Sequence, residues 1–154
     1  MAPEEWTRLW RHMFDYFETK KELDNLLWVY APNAQTTASL KPPASFYPGD
    51  RFVDVVGLDY YADQSEGIGP GGYQEMLALD KPFGLTEFGP LAKRDGSFDC
   101  VAFAQQLRKH YPQTCFLLAW HSWQGAKVAI VDQQNVPALI ADDWIATLDE
   151  LPAR

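Results

Sequence analysis

The apolar positions of the chain alternate between helical spacing and short unbroken runs. Trp6, Leu9, Trp10, Met13, Phe14 and Phe17 recur at intervals of three and four after Pro3, which predicts an amphipathic helix over residues 3–21. Asn25 then introduces Leu-Leu-Trp-Val-Tyr, a run rich in strand formers that stops at Pro32 and reads as a buried parallel strand. Residues 33–50 hold Pro42, Pro43, Pro48 and the turn Tyr-Pro-Gly-Asp, which predict a long surface connection. Val53 to Leu58 is a second buried strand, followed by a glycine-rich loop over residues 59–72 and a short helix ending near Asp80. Phe83 to Glu87 is a third strand, residues 99–110 a helix, and Cys115 to Trp120 a fourth strand. Residues 124–135 suit a small hairpin or loop, and residues 143–151 are expected to close the chain as a helix.

Strands that alternate with helices or long connections imply a parallel sheet with right-handed crossovers. The expected fold class is therefore α/β, with four parallel strands and flanking helices. No internal repeat or low-complexity linker marks a boundary, so residues 1–154 are expected to form a single domain. A closed (β/α)8 barrel typically takes about 250 residues and rarely fewer than about 200, so 154 residues suit an open sheet or half a barrel.

With 47% apolar residues the chain can build a core, which excludes disorder as the main reading. Its longest apolar runs fall far short of the roughly 20 residues of a membrane-spanning helix, so no membrane role is expected. The opening Met-Ala-Pro-Glu-Glu has neither the apolar stretch of a signal peptide nor the basic character of a transit sequence. A net charge of −8 repels phosphate backbones, and nucleic acid is not an expected partner. Cys100 and Cys115 lie at neither metal nor disulfide-framework spacing and are read as buried thiols. His12 and His110 lack acidic or cysteine neighbours at ligand spacing, so neither metal nor cofactor is expected. Six tryptophans within a 14% aromatic content suit either a dense core, to which Trp6, Trp10 and Trp28 are assigned, or a groove that stacks sugar rings.

In parallel α/β sheets ligands lie beyond the carboxyl ends of the strands. Here those ends carry Ala31 to Asn33, Asp59 to Tyr61, Glu87 to Gly89 and His121 to Trp123, a mixture of carboxylates and aromatic faces that suits glycosidic chemistry. Each residue also has a plainer reading. Glu87 could be a solvated strand-end carboxylate, Asp59 a cap for the glycine-rich loop, Tyr61 a core-edge tyrosine with a wet hydroxyl, and His121 a hydrogen-bonded structural residue. Gly67, Gly69 and Gly72 also fit the dinucleotide pattern G-x-G-x-x-G, with Glu87 about 20 residues on. Residues 60–66 separate them from the preceding strand, however, and Pro70 interrupts the turn that should cradle a pyrophosphate.

The segments NLLWVYAPN, YPGDRFVDVVGLDYY, KPFGLTEFGP and FLLAW through LIADDW resemble, in order and spacing, the C-terminal half of the family 26 glycoside hydrolases, the β-mannanase family. The resemblance implies half of a (β/α)8 TIM barrel. It also implies a retaining mechanism with Glu87 as catalytic nucleophile, Asp59 and Tyr61 as its polar and sugar-contacting neighbours, and Trp120 as a stacking surface once a barrel is completed. The family's acid/base Glu, preceded by His, lies at the end of the fourth barrel strand, and no His-Glu pair occurs in this sequence. The expected substrate is a β-linked mannan or related polysaccharide. The expected assembly is a homodimer, or a complex with a partner supplying the other half-barrel. For a full-length parent the resemblance implies an extracellular or periplasmic setting. The alternatives are a non-catalytic carbohydrate-binding or structural half-barrel and a dinucleotide-binding domain.

Overall fold

A computed structural model describes residues 2–34, 41–62, 72–91 and 93–151. Its sheet contains β1 (Val29–Tyr30), β2 (Val55–Tyr61), β3 (Phe83–Gly89) and β4 (Thr114–Ala119), hydrogen-bonded in that order. All four strands are parallel, and sequential parallel strands are the order expected for half a (β/α)8 barrel. The chain resolves into two compact units. One comprises Met1–Tyr60, Gly69–Glu87 and Gln113–Leu118, the other Tyr61–Ile68, Phe88–Pro112 and Ala119–Arg154.

In the first unit, α1 (Pro3–Asp15) begins with proline where its missing N–H costs nothing, and Glu4 and Glu5 complement the helix dipole. The predicted helix continues as a wider π turn over Tyr16–Lys20. Its apolar side lays Trp10 edge-on against Trp28 and Tyr30, at 5.7 and 6.1 Å between ring centroids, while the Trp10 indole N–H donates to the Phe52 carbonyl at 2.9 Å. Trp6, Trp10 and Trp28 are half-buried rather than fully enclosed as a core assignment would require. The first strand is also shorter than its apolar run. The Asp54 carboxylate accepts the Trp28 N–H at 2.8 Å, and residues 21–27 are exposed.

Val56, Leu58, Phe83 and Leu85 are completely or almost completely buried, joined by Tyr73 and Met76 of α2 (Tyr73–Leu77). Gly72, with φ at 106°, caps that helix, where only glycine adopts the turn without strain. The opposite face of the sheet requires glycine for another reason. A Cβ on Gly57 would lie 2.5 Å from Thr86 Cγ2 and 2.8 Å from the Gly84 carbonyl oxygen, and one on Gly84 would strike the Phe116 ring. Phe116 is partly exposed and can swing away, whereas the Gly84 carbonyl belongs to the sheet. Gly57→Ala is therefore expected to destabilise the fold by about 1–3 kcal/mol in urea unfolding, more than Gly84→Ala.

In the second unit, α3 (Cys100–His110) starts as expected from Asp99, whose carboxylate accepts the Val101 and Ala102 N–H groups at 3.0 Å each. Cys100, Phe103, Ala104 and Leu107 face its core, and Phe88 stacks on Phe103 at 5.0 Å. The helix expected over residues 143–151 is absent. Instead α4 (Val136–Ile140) packs on α3, and only a 3-10 turn, Leu148–Glu150, forms later. Asp142 captures the Trp144 N–H, and Thr147 and Glu150 form a capping box, so side chains restart the backbone twice within the predicted helix.

Cys100 is buried as expected, its thiol pushed up to about 11 by burial. Cys115 is exposed, contrary to the buried-thiol reading, because β4 is an edge strand. Its neighbours Phe116 and Leu118 are 36% and 58% exposed, and at the other edge Leu27 and Val29 are also uncovered.

Candidate functional site

The site begins where β1 and β2 end. The Asp59 N–H donates to the Pro32 carbonyl and the Ala34 N–H donates to the Asp59 carbonyl, both at 3.0 Å, so Asn33 lies beside Asp59 in parallel register. On β3, the Thr86 hydroxyl donates to Asp59 Oδ1 at 2.8 Å, and the charge of Glu87 acts on the same carboxyl. Two of the sequence-predicted residues, Asp59 and Glu87, therefore belong to one electrostatic cluster. Thr86, buried and spent on this bond, is a member the sequence reading did not single out.

Partial burial pushes the Asp59 carboxyl up to about 6; the Thr86 donor opposes the rise and Glu87 adds to it. A carboxyl whose pKa is higher folded than unfolded binds its proton more tightly in the folded state. Its ionisation therefore lowers stability as pH rises from about 4 to about 6, and the loss is complete above that window. Asp59→Asn retains an acceptor for Thr86 and removes the charge. Allowing for solvent screening of a half-exposed group, the variant is expected to gain about 1 kcal/mol at pH 7.5, or about 2–4 °C in melting temperature. The gain should vanish at about pH 4.

In the second unit Tyr61 stands against Gly89, where a Cβ would lie 3.3 Å from the tyrosine ring, and the Trp120 N–H donates to the Phe88 carbonyl at 3.1 Å. Trp120 and His121 are in ring contact at 5.1 Å, His121 and Trp123 at 6.0 Å, and the Arg94 guanidinium lies 5.3 Å over Trp123. The segment that carries them is pinned. Ser122 Oγ accepts the Val128 and Ala129 N–H groups at 2.9 Å and donates to Asp132. Trp123 and Ala126 exchange backbone hydrogen bonds around Gln124 and Gly125, both at positive φ, which is a two-residue hairpin turn within the region expected to hold one. Nothing local in the sequence marked Arg94 as the partner of Trp123.

Among the described residues no cluster of three His, Cys, Asp or Glu side chains could hold a metal ion. Gly67 and Gly69 of the dinucleotide pattern lie outside the described residues.

The chain belongs to glycosyl hydrolase family 26, whose sequence profile matches residues 1–150. It is 35% identical over 144 residues to the mannan endo-1,4-beta-mannosidase of Bacillus subtilis strain 168, spanning 94% of this chain and 37% of that protein. It is 34% identical over 142 residues to mannan endo-1,4-beta-mannosidase A and B of Caldalkalibacillus mannanilyticus, spanning 92% of this chain but 26% of the relative. The solved structure of Bacillus subtilis mannanase man26 superposes with a TM-score of 0.79 at 32% identity, covering 94% of this chain and 40% of that one. A Cellulomonas fimi endo-beta-1,4-mannanase at 19% identity gives a TM-score of 0.77 and speaks for the fold alone. This chain thus spans well under half the length of the relatives it matches, which agrees with the half-barrel order of its strands.

Proposed function

We propose that the chain carries the nucleophile side of a retaining β-mannanase site. Glu87 would attack the anomeric carbon, Asp59 and Tyr61 would be its polar neighbours, and Trp120 would form the platform under the sugar. The observation that carries this reading is the Asp59–Thr86–Glu87 cluster at the strand ends of a family 26 chain. The names of the relatives support a β-1,4-linked mannan as substrate class. The reading also takes the aromatic run from Trp120 to Trp123, with Arg94 above it, as a surface that stacks sugar rings.

A retaining glycosidase needs a second carboxyl about 5–5.5 Å from the nucleophile to protonate the leaving oxygen. This sequence has no His-Glu pair to match the family's acid/base. An activated aryl β-mannoside needs little protonation, so the chain is expected to release the aryl alcohol in a burst and to form a glycosyl ester on Glu87, detected by mass spectrometry. Glu87→Ala should form none. The absence of both burst and adduct would leave a non-catalytic carbohydrate-binding or structural half-barrel, the reading that the missing acid/base favours. Tryptophan quenching by micromolar NADH would instead revive the dinucleotide reading.

The reading further holds that the sheet is completed by a second copy or by a partner half-barrel. Leu27, Val29, Phe116 and Leu118 leave apolar surface open at both sheet edges, which folded proteins ordinarily cover. A groove of about 680 Å³ bordered by Trp6, Trp10, Val29, Ala31 and Asn33 lies beside β1.

A further inference from the structure

The register of β3 changes just where the candidate nucleophile stands. The Val56 N–H donates to the Pro82 carbonyl at 3.0 Å, the start of a regular parallel ladder between β2 and β3. Six residues further along β2, the Ala62 N–H donates to the Gly89 carbonyl, which lies seven residues along β3 from Pro82. One extra residue has therefore been fitted into β3. The carbonyl directions agree. Unbroken alternation would turn the Phe88 carbonyl toward β2 and that of Gly89 toward β4, yet Phe88 accepts from Trp120 and Gly89 from Ala62.

The side chains localise the break. Gly84 and Thr86 share the sheet face of Gly57 and Asp59, as alternation requires. Continued alternation would send Glu87 to the other face and bring Phe88 to this one. Instead Phe88 stacks on Phe103 of α3 and Gly89 comes against Tyr61, so the parity changes between Thr86 and Phe88. The extra residue is at Glu87. Bulges of this kind re-aim side chains and gather next to active sites.

We infer that a one-residue bulge in β3 aims Glu87 onto the face of Asp59, and that Thr86 is a positioning residue which, by its hydrogen bond to Asp59, ties the last regular residue of β3 to β2 where the bulge begins. The inference rests on reading Glu87 as the nucleophile. Two like-charged carboxylates on one face repel, and the Thr86 hydroxyl offsets part of that repulsion by donating to the ionised form of Asp59.

The test is carboxyl-carbon NMR titration of the full chain with labelled Asp and Glu. In the unsubstituted protein the Glu87 signal should show a step at the Asp59 midpoint, about 6. Glu87→Gln should lower that midpoint by removing the like charge. Thr86→Val, equal in volume but without the donor, should raise it by about one pH unit, and Thr86→Ser should return it. A Glu87 signal blind to Asp59 would overturn the bulge as the aiming device. An Asp59 midpoint unmoved in Thr86→Val would overturn the tether. If that variant does not fold, the comparison of Thr86→Ser with the unsubstituted chain and the Glu87→Gln shift decide the matter. A missing glycosyl ester with the titrations as expected would remove the nucleophile reading alone, whereas an ester on Glu87 without the coupling would remove the inference alone.

Discussion

Purified by itself and supplied with polymeric mannan, the chain is expected to turn over far below the roughly 1–10³ s⁻¹ common among enzymes. A mannan linkage leaves as a poorly stabilised alkoxide unless it is protonated as the bond breaks, and general acid catalysis is typically worth about 10²–10⁴-fold. On the proposed reading Glu87 cannot supply it, since a retaining nucleophile is ionised when it attacks. The loss should exceed that factor, because substrate contacts made by the rest of a barrel would be missing too, and remote contacts contribute to the rate of the chemical step. Reducing-sugar assays on mannan beside release of an activated aryl alcohol separate the two requirements: the aryl substrate should react once per Glu87 and the polymer scarcely at all. Rates on mannan within the ordinary range would mean that the acid/base lies inside this chain. Asp59 would then be the first residue to replace, because its carboxyl is held up to about 6, within reach of a proton donor's working range.

The residues that seat Asp59 and Glu87 were legible because strand ends are legible. β2 and β3 are runs of valine, leucine and phenylalanine bounded by turn formers, and a carboxylate directly after such a run falls on the rim. Pro3 likewise marked the start of the first helix. The bulge was only half legible. Phe83 and Leu85 alternate with Gly84 and Thr86, but Glu87 stands where the next apolar residue is due and Phe88 follows it; that change of parity suits a strand end as well as a bulge, and the partners of Phe88 and Gly89 reveal the added residue. The missed C-terminal helix has a related cause. Its apolar spacing is sound, but Asp142, Thr147 and Glu150 offer the backbone nearer side-chain partners. Cys115 misled for a third reason. An apolar run predicts burial on both faces, and β4 is an edge strand that lacks a cover its own sequence presupposes.

That missing cover leads to the second large effect. If a second copy or a complementary half-barrel closes the sheet, Leu118 and Val29, at 58% and 37% exposure on the isolated chain, become interior. A charge placed there would then lie unpaired in a dry interface, a defect that costs about 3–5 kcal/mol when a buried pair loses one partner. Leu118→Asp or Val29→Asp should therefore weaken association by about 10²–10³-fold or more, read by sedimentation velocity over a dilution series. The same substitutions should cost little in the folding of the chain by itself, because both side chains are already wet there. This separates them from Gly57→Ala, which strikes the sheet backbone whether or not a partner is bound. Surface aspartates such as Leu148→Asp provide the control, since Leu148 is 87% exposed and distant in sequence from both edge strands. A sharp monomer at every concentration, unchanged by Leu118→Asp and by addition of the complementary family 26 half-barrel, would mean that the open sheet edges are tolerated as they stand. The assembly reading would then be wrong, whatever the titration of Asp59 and Glu87 shows.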